Sequence, residues 1–143
     1  MNPVTILPAN KDDLKEFSIR KWHAVDMEHY GRAVEWNLKE FILKATENGV
    51  VVGMVSGKHE SGVLYIEDII VGKAKRNVGI GKALMEAAEE FGRSQGAHKA
   101  YLLTGKTWGA AKFYELLGYT KCGDLPDHHF HTDFVAYSKK LSP

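Results

Sequence analysis

The sequence predicts a single α/β domain over residues 1–143, built on a mixed central sheet of about six to seven strands flanked by about four helices. Three observations support this prediction. Stretches with the apolar spacing of strands alternate with stretches of helical spacing along the chain. The succession of strand, helix and strand from Val63 to Thr104 has the length of a right-handed parallel crossover. No repeat or flexible linker interrupts the chain, whose length suits one hydrophobic core.

The first third of the chain is predicted to hold a strand, two helices and a hairpin. Val4–Leu7 has the composition of a short strand, and Asn10 followed by Asp13 has the form of a capping box that begins a helix. A second, shorter helix is expected over 34–41, because its apolar residues have helical spacing. Asn48-Gly49 is typical of a tight hairpin turn, so strands are expected over 41–47 and 50–56.

The rest of the chain predicts the central strand and its neighbours. After a turn over 57–62, the segment Val63–Val71 is so apolar and β-branched that it should be a central strand covered on both faces. A helix is expected over 82–96, with one apolar face formed by Leu84, Ala87, Ala88 and Phe91, and a strand over 100–104. Thr107 is a candidate N-cap for the next helix, which Gly118 ends. Residues 119–123 and 130–141 close the sheet.

Charge and composition exclude several classes of protein. Basic and acidic residues, 19 and 18 in number, nearly cancel, so no general affinity for nucleic acid or an anionic membrane is expected. No apolar run approaches the roughly 18 residues of a membrane span, and the N-terminus lacks the pattern of a signal peptide. The single cysteine, Cys122, fits a reducing compartment. We therefore expect a cytoplasmic protein, and a homodimer is compatible with the sequence.

The segment between the central strand and its helix carries the most informative pattern, Val71-Gly-Lys-Ala-Lys-Arg-Asn-Val-Gly-Ile-Gly-Lys82. Helix N-termini present unpaired N–H groups and the positive end of the helix dipole, so acidic residues are usual there. Here basic residues crowd the helix start, and Gly79 and Gly81 remove side chains that would keep a ligand from the backbone. This pattern favours a phosphate or pyrophosphate site. A flexible, solvated basic loop is the alternative.

Two other phosphate-binding motifs do not match this segment. A P-loop requires glycine five positions before Gly81, where the chain has Arg76, and Ser or Thr after Lys82, where it has Ala83. A dinucleotide fingerprint requires glycine three residues beyond Gly81, where Leu84 stands. The sequence therefore excludes a nucleotide triphosphatase and a Rossmann site at this position.

The pattern does resemble motif A of the GNAT superfamily of acyl-CoA N-acyltransferases, Arg/Gln-x-x-Gly-x-Gly/Ala, as Arg76-Asn-Val-Gly-Ile-Gly81. The segment Ala110-Ala-Lys-Phe-Tyr-Glu-Leu-Leu-Gly-Tyr119 resembles the second signature of that family, Ala-x-x-Phe-Tyr-x-x-x-Gly-Phe/Tyr. Both segments stand in the family's order and spacing, and the predicted elements from Val4 to Leu141 follow its succession. The resemblance covers nearly the whole chain.

The resemblance implies that acetyl-CoA is the cosubstrate, and no metal is expected. Backbone amides would hold the pyrophosphate of the cofactor at Arg76, Asn77, Val78, Gly79, Ile80, Gly81 and Lys82. The main chain of Ile69, Ile70 and Val71 would bind the pantetheine arm in a gap between two splayed parallel strands. Thr107 stands where the family often has an asparagine that binds pantetheine, so this chain departs from the pattern there.

Transfer of an acetyl group to an amine requires a neutral amine, a stabilised oxyanion and a proton for the departing thiolate. The resemblance implies that the amide of Ile69 stabilises the oxyanion, that Glu67 is the general base and that Tyr114 protonates the thiolate. Asp68 is a second carboxylate in the same apolar strand, and strand alternation would turn it to the opposite face unless a bulge intervenes. A structural role remains the alternative for both carboxylates, and core packing for Tyr114.

The acceptor is expected to be the primary amine of a small molecule. Only the first helical region and residues 124–133 remain to shape its site, and their bulky Trp22, Tyr30, Trp36 and His128–His131 suit a pocket better than a peptide groove. His129 and His131 would share one face of a strand, which also raises a metal site as a weaker alternative to a solvated loop. The open alternatives for function are a protein N-terminal or lysine acetyltransferase and a non-catalytic acyl-CoA-binding sensor.

Overall fold

The computed structural model describes residues 3–142, and the chain divides after Glu35 into two compact units. The first unit holds helix α1 (Lys11–Tyr30), whose predicted capping box is confirmed, because the Asn10 side chain accepts from the Asp13 N–H at 2.9 Å. The strand predicted at Val4–Leu7 is wrong, since this segment is exposed and pairs with no strand. It lies between two prolines, which have no N–H to donate to a sheet.

The second unit is built on a six-stranded mixed sheet with the order β1-β2-β3-β4-β6-β5. The only parallel neighbours among the described strands are β3 and β4. The strands are β1 (Lys39–Glu47), β2 (Val50–Glu60), β3 (Val63–Val71), β4 (Lys99–Gly105), β5 (Thr120–Leu125) and β6 (Phe134–Lys140). The α-helices are α2 (Ile80–Ser94) and α3 (Ala110–Leu116). The described part of the chain thus confirms the mixed sheet and the crossover, with three α-helices where about four were expected.

The hairpin of β1 and β2 turns at Asn48-Gly49 as predicted. The helix predicted over 34–41 is wrong, because β1 already begins at Lys39 and Phe41 packs against Phe91 of α2, with 4.8 Å between ring centroids. The turn predicted over 57–62 is also too early. Strand β2 continues to Glu60, and the chain turns only at the next two residues.

The core lies between the sheet and α2, around the fully buried Val55, Leu64 and Met85. The buried face of α2 differs from the predicted one, because Ala87 is exposed while Met85 and Glu89 are buried. No helix in residues 3–142 is long and apolar enough to cross a membrane. The organisation of residues 1–143 as a single domain stays a prediction.

Two predictions near the end of the chain are wrong. Helix α3 begins after Gly109 without any side-chain cap, so Thr107 does not cap it. Strand β6 begins only at Phe134, because residues 129–131 form a 3-10 turn in which Phe130 and His131 have positive φ angles. His129 and His131 therefore do not share the face of a strand.

Candidate active site

The parallel strands β3 and β4 separate halfway along their length. The residue pairs between them end at Ile66 and Leu102. Beyond that point β4 stays paired with β6 on its far side, and β3 stays paired with β2. The inner edge of β3 from Glu67 to Val71 therefore has no strand partner, and an extended ligand can bond to it as a strand would. This is the splayed pair that the sequence resemblance implies.

The connection from β3 to α2 is held by two of its own basic side chains. It begins with a 3-10 turn at Lys73–Lys75, and the ammonium group of Lys75 lies 2.6 Å from the carboxylate of Glu47. The Nε–H of Arg76 donates to the carbonyl oxygen of Val71 at 3.2 Å. These two cations are engaged by Glu47 and Val71, which leaves the backbone N–H groups and the exposed Lys73 and Lys82 to meet an anion.

The start of α2 has the geometry of an anion site. Gly79 caps the helix with a φ of 88°, a left-handed conformation that favours glycine. The first turn contains no acidic residue, and the N–H of Ala83 makes the first bond of the helix, to the carbonyl of Gly79 at 3.0 Å. The N–H groups of residues 80–82 precede that bond and point out of the helix start, where they can hold a phosphate.

The two sequence signatures meet in space at Gly81. A Cβ on this glycine would lie 3.2 Å from the ring of Phe113 in α3 and 3.7 Å from the side chain of Val71 at the end of β3. A larger residue would push these elements apart, so Gly81 lets α3, β3 and the start of α2 approach one another. The helix start and the open edge of β3 thus adjoin.

Tyr114 follows Phe113 in α3 and is 8% exposed. Its ring lies edge-on to Phe113 and Tyr119, with centroid separations of 5.2 and 6.2 Å. Burial raises the pKa of the Tyr114 phenol above its usual value of 10.0. The side chain is therefore protonated at neutral pH, as a proton donor must be.

Glu67 is the extra residue of a β-bulge. Ser56 of β2 pairs with Asp68 and Gly57 pairs with Ile66, which leaves Glu67 without a partner in β2. A Cβ on Gly57 would collide with the carbonyl oxygen of Tyr65, so glycine is required beside the bulge. The burial pattern of β3 shifts by one residue here, from Leu64 and Ile66 to Ile69 and Val71.

The bulge places the two carboxylates in a different environment from the predicted one. Glu67 and Asp68 are both exposed rather than buried in an apolar strand that is covered on both faces. The hydroxyl of Ser56 donates to Asp68 at 3.4 Å. An open pocket of about 380 Å³ lies beside them, lined by Glu40, Phe41, Ile42, Ser56, Gly57 and Glu67.

The other residues implied for the cofactor lie along the same path. Ile69, Val71 and Ile80 are half-buried, while Ile70, Arg76, Asn77, Val78 and Lys82 are exposed. Asn77 has a φ of 66° and turns the loop sharply before Val78. Thr107 is exposed in the turn between β4 and α3.

Comparison with known proteins decides the family. The family model described as "Acetyltransferase (GNAT) family" matches residues 8–119. The chain belongs to the GNAT family of acetyltransferases. A curated acetyltransferase of Agrobacterium fabrum is 32% identical over 102 residues, which are 71% of this chain and 72% of that protein.

Solved structures share the GNAT fold. An acetyltransferase from Bacillus cereus superposes with a TM-score of 0.74 at 21% identity, over 95% of this chain and 97% of that one. A Bacillus anthracis structure, described as a streptothricin acetyltransferase in complex with acetyl coenzyme A, has a TM-score of 0.66 at 24% identity, over 71% of this chain and 62% of that one. These likenesses establish the mixed sheet with its parallel pair as the fold of a GNAT acetyltransferase.

The histidine-rich segment of this GNAT chain forms a tight surface loop. The Nδ1 of His131 lies 2.7 Å from the carboxylate of Asp127, and Phe130 is 99% exposed. His128 and His129 pack their rings against Phe134 at the start of β6. Within residues 3–142, no three His, Cys, Asp or Glu side chains are grouped so as to hold a metal ion.

Sequence reasoning missed a buried polar network behind Tyr114. The carboxylate of Glu89 is 3% exposed and accepts from the hydroxyl of Tyr119 at 2.9 Å and from the ammonium group of Lys139 at 2.8 Å. Burial and the Glu89 charge raise the pKa of Tyr119 far above its usual value. The sequence carries little sign of this network, because Glu89 lies in α2 while its two partners are 30 and 50 residues away along the chain.

Proposed function

We propose that this protein is an N-acetyltransferase that transfers the acetyl group of acetyl-CoA to a primary amine of a small molecule. The observation that carries the proposal is the gap between β3 and β4, which opens beyond Ile66 and Leu102 beside an anion-binding helix start. An extended thioester arm ending in a pyrophosphate has the shape and the charge that these two features accept. Family membership supports the acetyl group as the group transferred.

The backbone would hold the cofactor. Ile69, Ile70 and Val71 offer main-chain groups on the unpaired edge of β3, and the N–H groups of residues 80–82 would face the pyrophosphate. The contribution of Arg76 is indirect, since its side chain fixes the loop through Val71. Acetyl-CoA supplies an activated acyl group as a thioester.

The chemistry is a direct transfer. The neutral amine nitrogen attacks the thioester carbon, so that the N–C bond forms and the C–S bond breaks. The carbonyl oxygen becomes an oxyanion, for which the amide of Ile69 is the candidate donor. The nitrogen gives up its proton to Glu67, directly or through water, and Tyr114 gives a proton to the departing thiolate. The raised pKa of Tyr114 suits this step, because the donor stays protonated until the thiolate forms.

A small acceptor is favoured by the size of the pocket next to Glu67. Its volume of about 380 Å³ matches a compact ligand. The pocket lies over three neighbouring strands of the sheet and is open to solvent.

The test is a survey of acceptors with acetyl-CoA. CoA release is followed with polyamines, amino acids, aminosugars and tetrapeptides, and the acetylated product is identified by mass spectrometry, with Tyr114→Phe as the matched variant. We expect kcat/KM to be highest for a small amine and to fall in the variant. A preference for tetrapeptides above about a hundredfold would overturn the small-molecule assignment. Binding of acetyl-CoA without release with any acceptor would indicate a sensor instead.

A further inference from the structure

The pocket beside Glu67 carries more negative charge than catalysis requires. Glu40 of β1 and Glu67 of β3 both line it. Asp68 lies immediately behind, because Ser56, another lining residue, donates to its carboxylate at 3.4 Å. The proposed reaction needs one carboxylate to accept a proton, so the second and third call for a separate explanation.

None of these three carboxylates forms an ion pair within residues 3–142. The ion pairs in this part of the chain involve other acids. Lys58 is the cross-strand neighbour of Glu40, yet it forms no ion pair with it. None of the described residues that line the pocket is basic, so its two lining carboxylates favour positively charged ligands.

The remaining walls suit a cationic chain. Ile42 is 73% exposed and gives the pocket an apolar side that methylene groups can cover. Carboxylates attract ammonium groups, so the pocket combines an apolar side with negative charge.

We propose that the pocket selects acceptors with at least two amines, and that Glu40 is a specificity-determining residue that binds the protonated amine which does not react. This inference rests on the proposed function and names the substrate class of the same site. The reacting amine attacks as the free base and then gives up one proton to Glu67, directly or through water, while the second amine stays protonated against Glu40. A short apolar spacer between the two amines would lie along Ile42.

The test compares acceptors that differ only in the second charge. Steady-state kinetics with acetyl-CoA are measured for linear diamines and for monoamines of equal chain length. We expect diamines to be preferred by about tenfold or more in kcat/KM, chiefly through KM, with the preference falling as salt rises. In Glu40→Gln the preference should fall about fivefold or more. Glu90→Gln removes an exposed carboxylate outside the pocket and should leave the preference unchanged.

The outcomes separate this inference from the proposed function. Equal use of monoamines and diamines, or an unchanged preference in Glu40→Gln, would overturn the inference while acetyl transfer still stood. If none of the amines is acetylated, the proposed function is overturned. Calorimetry of a diamine on the CoA-bound protein would then decide the inference. Binding that weakens in Glu40→Gln but not in Glu90→Gln would support it, and absence of diamine binding would refute it.

Discussion

Replacing Gly79 by alanine separates the strain of the helix start from its role in binding. Gly79 has a φ of 88°, and nothing lies within 4 Å of the Cβ that alanine would add. Gly96, just beyond the other end of α2, is a matched control, with a φ of 89° and equally open surroundings. Because a left-handed conformation costs a non-glycine residue about 1–2 kcal/mol, both variants should lose about that much free energy of unfolding.

Only the Gly79→Ala variant should lose affinity for CoA. The added methyl group stands where a phosphate must approach the N–H groups of residues 80–82, and losing one hydrogen bond to a charged group costs about 1.5–3 kcal/mol. The Kd for CoA should therefore rise about 10- to 150-fold. Calorimetry gives the Kd of both variants, and urea unfolding gives their stabilities. An unchanged Kd in Gly79→Ala, or an equal loss in Gly96→Ala, would refute the assignment of the phosphate site.

Three further predictions concern the proton donor, the base and the buried network. Tyr114→Phe should lower kcat about 10- to 1000-fold with little change in acetyl-CoA affinity, as stopped assays and calorimetry can show. Glu67→Gln should remove or shift the acidic limb of the profile of kcat/KM against pH, and a wild-type profile would assign the base elsewhere. Tyr119→Phe removes the hydroxyl that Glu89 accepts from, so it should cost about 1.5–3 kcal/mol of stability. The folded-state pKa of Tyr119 is raised. The stability that its protonated hydroxyl contributes is therefore fully present below pH 10.0 and declines progressively as the pH rises above that value. Chemical unfolding from pH 8 to 11 should thus show a shallower alkaline decline in the variant.

Features set by neighbouring residues could be predicted from the sequence. The capping box at Asn10 and Asp13 and the turn at Asn48-Gly49 depend on a few adjacent residues, and both are confirmed. The glycines at 79 and 81 are also local, since one sets a positive φ and the other a close approach. The family was identified from another local feature, the resemblance of residues 76–81 and 110–119 to its two signatures.

Features that depend on distant partners could not be predicted. The helix expected over 34–41 ignored Phe91, against which Phe41 packs from β1. The exposure of Glu67 follows from a bulge that Gly57 of the adjacent strand permits, and the pattern of β3 alone gives no sign of it. The buried face of α2 was misjudged at Glu89, since a carboxylate is buried only when distant groups satisfy it.

A crystal structure of the protein with acetyl-CoA tests the central claim most directly. The predicted result is a pantetheine arm that extends along the unpaired edge of β3 from Glu67 to Val71, with the pyrophosphate on the N–H groups of residues 80–82. Within the described residues, a basic pocket of about 460 Å³, lined by residues that include Lys99 and Lys140, is a competitor for the anion. A cofactor bound in that pocket, with the gap between β3 and β4 empty, would contradict the account.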